Sequence, residues 1–410
     1  MDKNVIVAKK KEKYLSFDVL LLMLIICMNI NRYYLGRDSN ILYYAFYILF
    51  IIIGVFTCCA DGNHIERIRI TADSVPSFIA VSLLVAFSFI RAPEHGVDGI
   101  IAAAKFLVSL IVALVASTFS QNKIKKLYTL IIVYNVVYCA VILYSPQKAT
   151  QQMVYGGMNY LNITLTIGLL LSLSLCYVLL SYYSFSSRKT FFVSIAISAV
   201  ALYTMTRFNS RGSILLPIIS MGIILLMIAP NKPLRFLGAV LVVGGLVYFG
   251  FQIYVNNTSE YIHNRMLRLF RDTNSESRID IWGNYIETII DRKWWIVGGG
   301  TNASRLELGY YPHNLYLQLI GEFGLIGFFV GAAFTIRIVR AIVYVHKFSR
   351  RSIREYIEIL TIFYLTVSSV LYYWFTFMKS FSFYDACPLF VFCALLIKVE
   401  SLMKQQEAMI

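Results

Sequence analysis

Apolar residues in this chain come in blocks about as long as a bilayer is thick. The runs "LLMLIICMNI", "AFYILFIIIGVF" and "LLPIISMGIILLMIA" each sit in a stretch of roughly 20 residues, the length a helix needs to cross hydrocarbon. The pattern predicts about twelve spans, over roughly 15–31, 41–59, 75–90, 99–118, 127–145, 160–183, 190–206, 212–229, 235–253, 314–336, 356–376 and 384–399. Only one polar interruption is long, at 254–313. The expected fold class is therefore all-α: a polytopic integral membrane protein with a nine-span region at 1–253, one extracytoplasmic loop at 254–313 and a three-span region at 314–410.

The long loop has its own periodicity. In YIHNRMLRLFRD, residues 261–272, a helix would carry Ile262, Met266, Leu269 and Phe270 on one face and Arg265, Arg268 and Arg271 on another. Such a helix suits a membrane surface, where the arginines meet either lipid headgroups or a phosphate-bearing substrate. Residues 277–291 repeat the theme, with Ile279, Trp282, Ile286 and Ile289 as the expected apolar stripe. Trp282, Trp294 and Trp295 fit an interfacial belt. The Gly298-Gly299-Gly300 run then breaks the helix, for a turn or for close approach of backbone to a ligand.

Composition agrees with a membrane protein. Of 410 residues, 58% are hydrophobic and 14% charged, against about 25% charged in a soluble domain. Mean hydropathy is +0.67. The net charge of +15 does not argue for nucleic acid once its distribution is read. With the N-terminus inside, the inner connections hold 22 Lys and Arg, the short outer ones 7 and the long outer loop 7, with Lys105 inside a span. That bias places both termini in the cytoplasm. The basic start MDKNVIVAKKKEK precedes a full-length apolar run without a small-residue cleavage site, so no cleavable signal is expected. Seven scattered cysteines show neither metal spacing nor a disulfide framework, and read as small apolar residues.

Candidate chemistry gathers where spans meet the outer surface. Pro312 fits a helix start, with His313 and Asn314 in the first turn, where the positive helix end attracts anions. Asn314, Gln318 and Glu322 recur every fourth residue and line one side of that span. An acid inside a span faces a cavity or a partner. Gly321, Gly324 and Gly327 would let a helix or lipid chain pack closely. In MTRFNSRGSILLP, Arg207 and Arg211 stand on an outer connection, Arg211 at the start of the eighth span. Outer arginines oppose the charge bias, and a guanidinium forks onto phosphate oxygens. Arg278 is a third candidate and Arg305 a weaker one, while Lys105 could snorkel from its span. No Walker loop, G-x-S-x-G, H-E-x-x-H or metal-holding D-x-D occurs, so the expectation is a pre-activated donor used without metal or cofactor.

In order, "SRG" before a span, "SRIDIWGNYIETI" in a long outer loop, "IVGGG" and "HNLYLQLIGEFGLIG" resemble the O-antigen polymerase and ligase superfamily of bacterial membrane proteins. The motifs cover about 205–330; one departure is Trp294-Trp295 where a proline is common before the glycine turn. The resemblance implies a metal-independent, inverting glycosyltransferase in the plasma membrane, the inner membrane if the envelope is Gram-negative. Its donor and acceptor would be undecaprenyl-diphosphate-linked glycans, with the bilayer, a chain-length regulator and a flippase of the same pathway as partners. Carried over by motif, Arg211 and Arg278 would hold the diphosphate and His313 would act at the acceptor hydroxyl. Arg207, Arg265, Arg268, Arg305, Asn314, Gln318 and Glu322 complete the candidate substrate-binding set. A polymerase of repeat units is favoured over a ligase acting on lipid A core or protein. A flippase or transporter is the reading from another class, and it would show two similar halves with binding groups at the midplane.

Overall fold

The computed structural model describes residues 17–27, 40–60, 75–144, 154–155, 158–183, 185–205, 208, 211–228, 277–349, 356–380 and 382–407, with isolated positions between 237 and 252. The described part is helical apart from one two-residue antiparallel hairpin, Val154–Tyr155 with Met158–Asn159. In chain order the helices are α1 (Phe17–Ile26), α2 (Asn40–Ala60), α3 (Val75–Arg91), α4 (Gly96–Ala116), α5 (Gln121–Tyr144), α6 (Tyr160–Tyr182), α7 (Arg188–Met205) and α8 (Arg211–Ile228). After the long connection come α9 (Ser277–Asp291), α10 (Trp294–Val297), α11 (Ala303–Leu308), α12 (Leu315–Ser349), α13 (Ile357–Phe377) and α14 (Cys387–Glu407). Single 3₁₀ turns, Ala92–His95 and Phe383–Asp385, lead into α4 and α14.

Eleven of the twelve expected spans fall on these helices; that at 235–253 lies outside the described residues apart from the isolated positions. By length and apolar composition, the segments able to cross a membrane are Val81–Ala116, Gln121–Tyr144, Ile163–Tyr182, Leu315–Phe348 and Ile357–Phe377. Three shorter apolar helices accompany them, Phe17–Ile26, Ala45–Gly54 and Gly212–Ile228. The protein is thus a multi-pass helical membrane protein, and the described residues carry five spans of full length where the sequence pattern predicts twelve.

Two helices form the centre. Within its most apolar window α6 is 89% buried, and α13 78%. Lipid tails are as apolar as leucine, so such helices need more than hydrophobicity to associate, and small residues and hydroxyls supply it. Ser172 and Ser368 share a 2.8 Å hydrogen bond between α6 and α13. Ser198 on α7 donates to Ser174 at 2.8 Å, and Tyr128 on α5 to Thr366 at 2.8 Å. Gly168 leaves room for the Tyr372 hydroxyl, which donates to the Leu165 carbonyl at 2.8 Å. The described cysteines, Cys27, Cys139, Cys176, Cys387 and Cys393, are free and buried.

Among the described residues, helix ends and connections expected on the same side contact one another. Those expected inside meet through Lys125–Glu358 at 2.9 Å and Lys123–Asp18 at 2.6 Å. Those expected outside are described below. α12 runs past the expected limit of 336 to Ser349, and Arg337 is buried in an ion pair with Glu400 of α14 at 2.7 Å. Lys404 joins Glu400 at 2.9 Å.

Candidate functional site

At the outer-connection end, α12 begins later than the sequence suggests. His313 and Asn314 are not in its first turn: the helix starts at Leu315. Asn314 is the cap, its Oδ1 accepting from the backbone N–H of Tyr316 at 3.1 Å and of Leu317 at 3.2 Å. Asparagine wins this position because its side chain satisfies two of the donors a helix start leaves open. His313 stands just outside with φ 52°, in the left-handed region. Backbone held there costs on the order of 1–3 kcal/mol and persists only where its surroundings fix it. The indole Nε1 of Trp282 donates to the Pro312 carbonyl at 2.7 Å, fixing the peptide on the other side.

α12 also breaks at Gly324, where φ is 60° and ψ −141°. The three glycines of 321–327 therefore do not pave a uniform packing stripe. The break frees carbonyls, and the Gly298–Gly300 turn fills the gap: Gly299 N–H donates to Gly321 O at 2.7 Å and Gly300 N–H to Glu322 O at 3.0 Å. A Cβ on Gly298 would overlap Glu322 O, and one on Gly324 would overlap Ile296 O. The triple glycine thus permits backbone to approach backbone.

Glu322 itself is fully buried. Its carboxylate accepts from Ser304 Oγ at 2.9 Å, Gln318 Nε2 at 3.0 Å, Asn302 N–H at 3.0 Å and the Tyr384 hydroxyl. Desolvating a carboxylate costs several kcal/mol, and four donors from three segments offset that. Gln318 Oε1 accepts the Phe383 N–H at 2.8 Å. Glu322 and Gln318 therefore tie the loop before α12 to the connection before α14. Burial, and then the Glu322 charge, push the Tyr384 phenol well up, so it stays a donor.

The α3–α4 corner grips the glycine turn from its other side, a feature the sequence does not announce. Arg91 donates to the carbonyls of Val297 at 3.2 Å and Gly298 at 3.4 Å, and pairs with Glu94. His95 Nε2 lies 3.0 Å from Gly299 O and 3.7 Å from Glu307, which also pairs with Arg292. Thr301 donates to Ser88 O at 2.6 Å.

The tryptophan belt is corrected in part: Trp294 is buried under Arg292 and against Gly299, held inward by the close packing that a glycine allows. The stripe of α9 is also rotated. Tyr285 and Ile289 face inward, while Ile279 and Ile286 are exposed, because Tyr285 reaches the Ser304 hydroxyl at 2.6 Å.

Arg305 is exposed, its guanidinium 5.9 Å from the Tyr311 ring. Burial raises the Tyr311 phenol and Arg305 opposes that. Arg211 begins α8 and Arg278 is the second residue of α9, both placed by backbone. Arg207, Arg265 and Arg268, with the helix expected at 261–272, lie outside the described residues. Two lysines join the group. Lys379 reaches over α8, where a Cβ on Gly212 would stand 2.6 Å from its Nζ. Lys105 Nζ is 4.0 Å from Asp385. Among the described residues, no cluster of three or more His, Cys, Asp or Glu is placed to hold a metal.

Fold and site define a multi-pass membrane protein with a buried polar network around Glu322 where the turn before α12 meets the connection before α14. Residues 196–331, less than half of the chain, match the family described as O-antigen ligase, which supports the O-antigen polymerase and ligase superfamily. Arg207, Arg211, Arg265, Arg268, Arg278, Arg305, His313, Asn314, Gln318 and Glu322 fall inside that match, while Arg91, His95, Lys105, Lys379 and Tyr384 lie outside it. Members of that superfamily are glycosyltransferase-like enzymes. A comparison with curated proteins finds no match.

Proposed function

We propose that the chain is a metal-independent glycosyltransferase that joins polyprenyl-diphosphate-linked oligosaccharides into a polysaccharide at the outer face of the plasma membrane, with both termini in the cytoplasm. The observation that carries the reading is the pair of contacts made by Lys379, just after α13, and Tyr384, just before α14. They put Lys379 beside Gly212, the neighbour of Arg211, and Tyr384 on Glu322, two turns into the helix that His313 precedes.

The chemistry follows from those groups. The diphosphate activates the anomeric carbon, and Arg211, Arg278 and Lys379 offset the charge that grows on it as it leaves. The acceptor hydroxyl forms the new C–O bond as the bond to diphosphate breaks, with inversion. Its proton passes to the His313 imidazole, a group whose ordinary titration range suits a base near neutral pH. Polyprenyl diphosphate departs within the bilayer. Gln318, Glu322 and Asn314 hold the frame.

The match to the O-antigen ligase family favours a second reading, ligation, which would use the same donor but pass the glycan to lipid A core or protein. Full-length protein in lipid nanodiscs, given lipid-linked glycan extracted from cells lacking this chain, separates them. Polymer formed from that substrate alone supports the polymerase. Product that appears only with added lipid A core or protein supports the ligase. No release of polyprenyl diphosphate in either case removes the glycosyltransferase reading.

A further inference from the structure

Trp282 has no place in the chemistry above, yet it makes a specific polar contact. Its indole ring is half-buried on α9, and Nε1–H donates to Pro312 O at 2.7 Å, across 30 residues of chain. That carbonyl belongs to the peptide unit that enters His313. On the far side, Asn314 is held by its cap bonds and by Gln318 N–H donating to its carbonyl at 2.9 Å. His313 sits between these restraints at φ 52°, a conformation that relaxes unless both neighbours are fixed.

Trp282 also follows Arg278 by four residues on the same helix, one turn along. The turn of His313 is thereby tied to the helix that carries Arg278. We infer that Trp282 is a positioning residue: its hydrogen bond to Pro312 O fixes His313 relative to Arg278, and so sets the acceptor-side base against the diphosphate-side cation. The inference rests on the roles proposed for those two residues.

The physical need is clear. In a single displacement the base and the leaving-group cation act at once on opposite sides of one carbon. A misplacement of about 1 Å costs about a hundredfold in rate. A helix one turn long between the two groups is a stiff ruler, and a hydrogen bond to a backbone carbonyl transmits its position without touching substrate. An indole at a membrane surface needs no partner of this kind, since water and headgroups satisfy it.

The test uses the nanodisc assay with extracted lipid-linked glycan, reading polyprenyl diphosphate release at several donor concentrations. Trp282→Phe keeps most of the ring and removes the N–H. Its turnover should fall by about tenfold or more, while the donor concentration for half-maximal rate and the yield of folded protein stay near parental values. Trp282→Gln restores an N–H donor on a flexible chain and should recover part of the lost turnover. Parental turnover in Trp282→Phe overturns the inference. So does a fall in yield and in apparent donor affinity together with turnover, in either variant, which is what a merely structural tryptophan gives. His313→Ala run alongside keeps the two ideas apart: parental turnover there removes the proposed base itself, whereas loss in His313→Ala with none in Trp282→Phe removes only the positioning.

Discussion

The Tyr384 hydroxyl donates to the carboxylate of Glu322, joining the connection before α14 to the second turn of α12. Both side chains are buried, and the same Tyr384 oxygen accepts from the Asn302 N–H at 3.1 Å. Tyr384→Phe removes a donor to a charged acceptor and leaves the Asn302 N–H with Glu322 alone. Its expected cost is about 1–3 kcal/mol. Thermal unfolding of the detergent-solubilised protein measures it, and an unchanged midpoint would show that the network holds without this link.

Glycine at 298 answers to contact, and at 309 to backbone conformation alone. Both have positive φ, 83° and 77°, but a Cβ on Gly298 meets Glu322 O and Phe323 N, whereas one on Gly309 meets nothing within 4 Å. Gly309→Ala should therefore cost only the left-handed strain, about 1–2 kcal/mol. Gly298→Ala adds a backbone clash that undocks the turn from the break in α12. Limited proteolysis across 292–314 should cut Gly298→Ala faster than Gly309→Ala. Equal rates would mean that the turn is not docked as described.

The apolar runs make a multi-pass helical protein legible, because a bilayer demands length and apolarity from each span separately, but five of the twelve expected spans reach full length among the described residues. Glu322 and Gln318 are legible too, as polar residues at helical spacing inside a span. What escapes is whatever depends on a partner distant in sequence. Arg91 and His95 sit in no motif that the sequence singles out, yet their partners are carbonyls near 298, about two hundred residues on. Gly324 reads as one of three packing glycines, since spacing cannot reveal which one breaks the helix. Trp294 reads as a belt residue because an amphipathic ring suits either an interface or a pocket, and only Gly299 opposite decides for the pocket. Asn314 shows how one residue moves a boundary: its amide ends the ambiguity of the Pro-His-Asn corner by capping, which excludes His313 from the helix.

Orientation rests on the 22-to-7 distribution of Lys and Arg between inner and short outer connections. A membrane-impermeant thiol reagent added to intact cells or spheroplasts should label Thr258→Cys and spare Arg350→Cys. The described native cysteines are buried and give little background. The reverse pattern would put the candidate site in the cytoplasm and end the proposed reaction.

The arginines give a graded prediction. Arg211→Ala and Arg278→Ala should each reduce turnover to traces at unchanged protein level. Arg211→Lys should recover only part of it, because an ammonium cannot fork onto two diphosphate oxygens. Polymer analysis with quantitative immunoblotting reads both quantities. Parental polymer in both alanine variants would remove the diphosphate assignment.

His313 allows basicity and backbone to be separated. Its φ of 52° lies where histidine and asparagine are tolerated and alanine is not favoured. His313→Asn therefore preserves the turn between Pro312 and the Asn314 cap but carries no base. His313→Ala loses the base and relaxes the turn as well. If the imidazole takes the acceptor's proton, both variants should fall by about a hundredfold to ten-thousandfold in turnover, with single lipid-linked units accumulating, and His313→Asn should keep parental thermal stability and donor binding. If His313 serves only the shape of the turn, His313→Asn should polymerise at close to the parental rate while His313→Ala does not. The two variants, compared in the nanodisc assay and in intact cells, decide whether the residue at the mouth of α12 performs chemistry or only makes the corner.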